Sequence, residues 1–225
     1  MKSIWRDHGL SIFFGTIFVL ALAGQSVAGL LVFNEEQAAH GGEPVSWGAF
    51  VTSSAFVVDV AENWQSEYLQ FFLFILATIW LVQKGSPESK KPGDEGIDSD
   101  ENQLVGAFAR EDSPKWARAG GWRQVLYSNS LLLVMGGVFA VSWFIQSVAG
   151  TVVYNDEQRQ HGEQTVDWLG YVTTADFWNR TLQNWQSEFL AVGTMVAFSI
   201  YLRQRGSSES KPVGTPHHES ATESE

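Results

Sequence analysis

The sequence predicts an all-α integral membrane fold, a four-helix bundle built from two parallel two-span repeats with short helices in the outer segments. Three observations carry that reading. Leu10 to Phe33 and Ser130 to Tyr154 contain no charged residue, and about 24 residues of helix are enough to cross a hydrocarbon layer roughly 30 Å thick. Residues 10 to 90 align with 131 to 211 without a gap, at the constant offset of 121 that takes Gln25 to Gln146. Lys and Arg crowd the N-terminal end, the centre and the C-terminal end, leaving only Arg159 and Arg180 in the two segments between paired spans. Because basic residues stay on the cytoplasmic side, both termini and the centre are expected there, with the chain crossing the cytoplasmic membrane several times.

The first repeat covers residues 1–83, with spans at about 10–33 and 64–83. Lys2 and Arg6 ahead of an apolar run containing Ala21-Leu22-Ala23 also resemble a signal peptide. The matching run at Ser130 to Tyr154 lies mid-chain, where no signal peptide operates, so the span reading is preferred. Asn34-Glu35-Glu36-Gln37-Ala38-Ala39-His40-Gly41 and Asn155-Asp156-Glu157-Gln158-Arg159-Gln160-His161-Gly162 read as short capped helices: Asn to begin, acids in the first turn, Gly to end. Ser54 and Thr174 are expected to cap long helices running toward Gln83 and Arg203.

Residues 84–121 follow as a cytoplasmic linker, rich in Ser, Pro, Gly and charge and expected to be mobile. Its end, Trp116 to Arg123, sets two indoles among cations, a composition suited to the inner headgroup zone. The second repeat covers 122–205, with spans at about 130–154 and 185–203, and residues 206–225 form a polar tail. Gly85-Ser-Pro-Glu-Ser-Lys90 and Gly206-Ser-Ser-Glu-Ser-Lys211 read as helix stops followed by a basic interfacial anchor. Two parallel copies predict a pseudo-twofold axis along the membrane normal.

Composition narrows the function. The net charge of −11 lies mostly in the linker, the tail and the outer segments, and with dispersed basic residues it argues against nucleic acid as a partner. There is no cysteine, so neither disulfides nor thiolate chemistry are available. No nucleophile motif, phosphate-binding glycine loop or dinucleotide fingerprint occurs, so no enzymatic activity and no cofactor are expected.

The strongest candidate site is a pentapeptide present twice, Asn63-Trp64-Gln65-Ser66-Glu67 and Asn184-Trp185-Gln186-Ser187-Glu188. Only about 14 apolar residues follow Glu188 before Arg203, roughly 21 Å of helix, so polar groups must dip toward the outer leaflet. A carboxylate at that depth calls for a partner or water, which marks it as functional; the competing reading makes the indoles interfacial belt residues and the polar groups a hydrated helix end. Gln25 and Gln146 lie about eight residues inside their spans, roughly 12 Å deep, in the shared pentapeptide Gln-Ser-Val-Ala-Gly. Small residues on the same stripe favour a structural role for these amides, with contact to a bound molecule as the alternative. Glu36 with His40, and Glu157 with His161, are spaced four apart, as metal ligands on one helix face can be; ordinary helix-end electrostatics accounts for the same spacing.

Gly24-Gln-Ser-Val-Ala-Gly29, Phe33-Asn-Glu-Glu-Gln37 with His40-Gly41, Asn63 to Phe72 and Gly85 to Lys90 together resemble a family of small bacterial integral membrane proteins classed as a domain of unknown function. That resemblance covers nearly the whole chain; it implies a membrane location, which with the placement of Lys and Arg is read as the bacterial inner membrane, and it brings no activity with it. Two functions stand open. One is a structural or interaction protein, with a duplicated polar site that recognises an envelope protein or small ligand at the outer face. The other is a translocator of protons, ions or a small solute through Glu67 and Glu188, for which four helices would need a homodimer. The first is preferred, and in both the lipid bilayer is a partner.

Overall fold

The structure, a computed structural model, describes residues 2–220. Among them are seven α-helices, one single-turn 3-10 helix at Gly106–Phe108, and no strand. The helices are α1 (Lys2–Ala39), α2 (Trp47–Val51), α3 (Ser54–Trp80), α4 (Gly121–Ser128), α5 (Ser130–Gln160), α6 (Trp168–Tyr171) and α7 (Ala175–Phe198). Two of them, α1 and α5, are long and apolar enough to cross a membrane.

Those two helices run further than their apolar stretches. Asn34 begins no new helix: α1 continues through it as one element of 38 residues, and α5 passes Asn155 in the same way over 31. The reason is a non-local partner for each amide. Val45 donates its backbone N–H to Asn34 Oδ1 at 2.8 Å while Asn34 Nδ2 donates back to Val45 O at 3.1 Å. The same exchange joins Asn155 and Val166, at 2.8 Å in both directions. With its side chain so engaged, the Asn is not available as a cap. The helix stops do fall where expected, at Gly41 (φ 77°) and Gly162 (φ 71°), in the left-handed region that a Cβ disfavours.

The short helices between the long ones are instead α2 and α6. Ser46 Oγ accepts from the Ala49 N–H at 3.3 Å and Asp167 Oδ1 from Gly170 at 2.7 Å, each an N-terminal cap. Thr174 caps α7 through the Phe177 N–H at 3.2 Å; in the first half the equivalent residue is Ser53, facing Phe56, rather than Ser54.

At their other ends α3 and α7 stop short of Gln83 and Arg203. Gly96 N–H reaches back to Ile79 O at 2.7 Å, so the linker closes the end of α3 instead of trailing from it. In α7 the Arg203 Nη1 lies 2.8 to 3.2 Å from the carbonyls of Ser199, Ile200 and Leu202, which satisfies acceptors that a longer helix would have paired. Two loops of one design follow. Ser89 and Ser210 accept from the N–H of Gln83 and Gln204 at 2.8 and 2.9 Å, and Gly85 and Gly206 share φ 86°. The lysines that end these loops are not extended as anchors. Lys90 Nζ binds Gly96 O and Asp98, and Lys211 Nζ is buried against the carbonyls of Gly85, Pro216, His217 and Glu219.

The chain divides into two compact units. One is the chain through Ala61 together with Phe144–Phe177; the other is Glu62–Trp143 together with the chain from Trp178 onward.

Candidate functional site

Both Asn-Trp-Gln-Ser-Glu segments lie in the second unit, on α3 and α7. A helix turns about 100° per residue, so the first, second and fifth positions of such a segment share a face. Gln and Ser, with the Leu that follows three residues after the Ser, occupy the opposite one. On α3 the second face is inside: Gln65 is 0% exposed, Ser66 2% and Leu69 6%. On α7 it is outside, with Gln186 and Ser187 exposed and Leu190 66% exposed. There the inward residues are Asn184, Trp185 and Glu188, each half-buried, whereas Asn63, Trp64 and Glu67 on α3 are exposed. Identical segments thus meet through unlike faces.

The contacts follow from that arrangement. Trp185 Nε1 donates to Gln65 Oε1 at 2.8 Å. The Ser66 hydroxyl stands between Asn63 O, at 2.9 Å, and the Glu188 carboxylate, two acceptors competing for one proton. Glu67 is close enough for its charge to act on Glu188. Arg180 Nη1 and Glu62 Oε2 form an ion pair of 3.6 Å at the same level of α3 and α7. Asn184 turns along its own helix to Arg180 O at 2.9 Å. Gln65 keeps one amide atom, Nε2, buried without a hydrogen-bond partner, a cost that a fully satisfied core would not carry.

Trp185 is held from behind by aromatic packing. Its ring lies 5.9 Å from Trp143, which stacks on Phe139 at 5.6 Å and meets Trp178 edge-on at 6.1 Å. Trp143 Nε1 points to Thr181 Oγ1 at 3.4 Å, and Thr181 is fully buried. Pairs of this kind add about 0.5–1.5 kcal/mol beyond the area they bury.

Gln25 and Gln146 belong to the other unit. Most of their shared pentapeptide is explained by packing. Ser26 and Ser147 accept the indole N–H of Trp47 and Trp168 at 3.1 and 2.9 Å, and donate back to Ala23 O and Phe144 O. Gly29 and Gly150 leave room for a ring: a Cβ at Gly29 would come within 2.9 Å of Phe50, and one at Gly150 within 2.5 Å of the Tyr171 hydroxyl. Tyr171 then donates to Asp176 at 3.1 Å, a polar pair where the first half has Phe50 and Ala55. Gln25 is half-buried, while Gln146 is 0% exposed and neither of its amide atoms has a hydrogen-bond partner among the described residues.

For the Glu and His pairs, the imidazoles turn to the backbone. His40 Nδ1 donates to Glu36 O and His161 Nδ1 to Glu157 O, both at 2.8 Å. Among the described residues no group of three or more His, Cys, Asp or Glu is placed to hold a metal ion.

With the geometry in place, comparison with known proteins gives one result. A family model described as a domain of unknown function, DUF6766, matches residues 1–222. The chain belongs to that family. No match was found among curated proteins or among solved structures. DUF6766 membership therefore brings no catalytic or binding residue with it, and the roles of residues in this DUF6766 chain rest on the contacts above.

Several of those contacts involve residues that sequence reasoning passed over. Trp143, Thr181, Glu62 and Arg180 have no like residue 121 positions away, so the internal alignment drew no attention to them. Trp47 and Trp168, however, do correspond, as do Ser46 and Asp167 in capping chemistry. Their common distance from Ser26 and Ser147 was a usable signal.

Proposed function

We propose that this chain is a multi-pass protein of the bacterial cytoplasmic membrane, a four-helix bundle of two parallel two-span repeats with both termini cytoplasmic, that serves as a structural or interaction protein. The membrane reading draws on α1 and α5. Only 6% of the most apolar stretch of α1 and 17% of that of α5 is buried, so Phe13, Phe14, Phe18 and Leu20 stand outward. A helix in the core of a soluble protein would hide such side chains, and lipid is the solvent that suits them. For α3 and α7, about 40 and 36 Å long, the polar segment uses up part of the length and lies toward the outer headgroups.

The observation that carries the structural role is the bond from Trp185 to the fully buried Gln65. It joins α3 to α7 through groups that a ligand would otherwise need. Exposed Glu67, Gln186 and Ser187 lie toward the outer face, where a partner protein or small ligand would meet them.

A second reading, translocation of protons or cations, is favoured by one observation: Glu67 and Glu188 stand on α3 and α7, the two helices that the Trp185 to Gln65 bond joins. Like charges held close on two helices lower the cost of admitting a cation between them. One variant separates the two. Under the structural role, Glu67→Gln with Glu188→Gln leaves the proton or potassium permeability of reconstituted liposomes at the wild-type level. A wild-type flux well above that of empty liposomes that disappears in the double variant would replace the structural reading with the transport one.

A further inference from the structure

We infer that the cavity lined by the end of α3, the linker, α4 and the start of α5 binds one phospholipid whose headgroup carries a primary amine. This goes beyond the membrane reading given above and rests on it, since α3 and α5 must lie in a bilayer to meet such a lipid.

The cavity holds about 900 Å³, within the range of about 300–1,000 Å³ usual for small-molecule sites. Part of its lining is hydrocarbon, from Ile75, Leu76 and Ile79 of α3, Val125 of α4 and Leu132 of α5. One turn further along, α3 and α5 close up: the Phe72 ring lies 2.9 Å from where a Cβ on Gly136 would stand. Another wall is the linker, fixed by bonds from Gly96 N–H to Ile79 O at 2.7 Å and from Gly106 N–H to Ala117 O at 2.9 Å. Large side chains lining the cavity nevertheless stay uncovered, with Trp80 56% exposed and Ile97 81%. A hydrocarbon chain laid along them would take that apolar surface out of water.

Charge decides which headgroup fits. Lys90 Nζ gives two of its three N–H groups to Gly96 O at 2.8 Å and Asp98 Oδ1 at 2.9 Å, and the other Asp98 oxygen accepts from Gln103 Nε2 at 2.9 Å. One ammonium proton is left over, and Asp100, which also lines the cavity, has no ion pair among the described residues. The lipid phosphate accepts from Lys90 and the lipid amine donates to Asp100, both charge-assisted bonds. A headgroup with the phosphate alone would meet two carboxylates and a single cation already shared with one of them. On α4, Trp122 stands exposed with the Arg123 guanidinium over its ring at 5.5 Å, a pairing suited to the headgroup layer that such a lipid would leave.

The test is native mass spectrometry of the protein in mild detergent, with dioleoylphosphatidylethanolamine or dioleoylphosphatidylglycerol added as the probe. One molecule of phosphatidylethanolamine is expected to stay on each chain under activation that strips phosphatidylglycerol. Ile97 and Asp100 are both exposed, so variants there leave the fold intact while changing the site. Ile97→Glu sets a charge in the path of the hydrocarbon, and Asp100→Asn removes the partner of the amine. Each should lower retention of phosphatidylethanolamine about tenfold, the effect expected for one contact to a charged group. In Asp100→Asn, retention of phosphatidylglycerol should not fall. Equal retention of the two lipids by the wild type, no retained lipid, or unchanged retention of phosphatidylethanolamine in either variant overturns the inference. Failure of the membrane reading shows elsewhere, as protein released into the supernatant when membranes are washed at alkaline pH. A protein that pellets with the washed membranes yet retains no phosphatidylethanolamine overturns the lipid site alone.

Discussion

The loops after α1 and α5 form the same contacts in both halves of the chain, while the polar segments of α3 and α7, though identical over five residues, bury opposite faces. In the loops each Asn reaches a Val eleven residues on, each Ser receives a Trp indole, and each cap closes within three residues. Every partner is supplied by the same stretch of chain, so like sequence gives like structure. In the helices the partner comes from the other half: Trp185 finds Gln65, 120 residues away. One helix can cover only one face of its neighbour, so α7, turning its Trp face to the Gln face of α3, leaves its own Gln186 and Ser187 exposed. The difference teaches that duplicated residues need not do duplicated work.

The sharpest way to break this comparison is to truncate the same Leu on each helix. Leu69→Ala is expected to cost about 3 kcal/mol and Leu190→Ala less than about 1 kcal/mol, because only the first leaves a cavity. Thermal unfolding in dilute detergent reads both, and equal losses would mean that the two faces are used alike. Next in size come Asn34→Ala and Asn155→Ala. Each removes two hydrogen bonds to a Val backbone, so each should cost about 2 kcal/mol. Here the comparison demands equality, with amide exchange accelerating at Val45 in one variant and at Val166 in the other.

Trp185→Phe sharpens the helix side. It keeps much of the ring packing but leaves Gln65 Oε1 without its donor, at a cost of about 1 kcal/mol, whereas Gln186→Ala on the exposed face of α7 should change unfolding by less than about 0.5 kcal/mol. Chemical denaturation of both variants side by side checks the ratio.

The smallest effect concerns the loops after α3 and α7, where local geometry is shared but burial is not. Burial, and then the nearby charge of Glu209, raise the Glu88 carboxyl above its ordinary value. A raised acid binds its proton more tightly in the folded state, so its contribution is most favourable below the unfolded value, near pH 4, and is lost as pH rises through the folded value. Glu88→Gln is therefore expected to gain slightly on the wild type at pH 7, with the gap closing toward pH 4. A pH series of melting temperatures tests it, and a gap that widens on acidification contradicts the sign.

Much of this was legible in the sequence. The all-α class followed from the long uncharged runs, and the helix stops at Gly41 and Gly162 from the rarity of a Cβ at positive φ. Asn34 misled because its local signal, a preferred cap ahead of two acids, is genuine but weaker than a paired amide bridge to Val45. Lys211 misled because a lysine at a helix end usually reaches for water, and nothing nearby in sequence announced that Gly85 O would receive it.

By itself, then, the sequence determined what depends on neighbours along the chain: the helices, their stops, the capped turns and the indole to hydroxyl bonds of the loops after α1 and α5. Only the tertiary structure decided which side of each Asn-Trp-Gln-Ser-Glu segment is buried. A helix displays five residues around its whole circumference, and the pattern is the same in both copies. The choice of face belongs to whatever packs against it, and for Gln65 that is an indole 120 residues away.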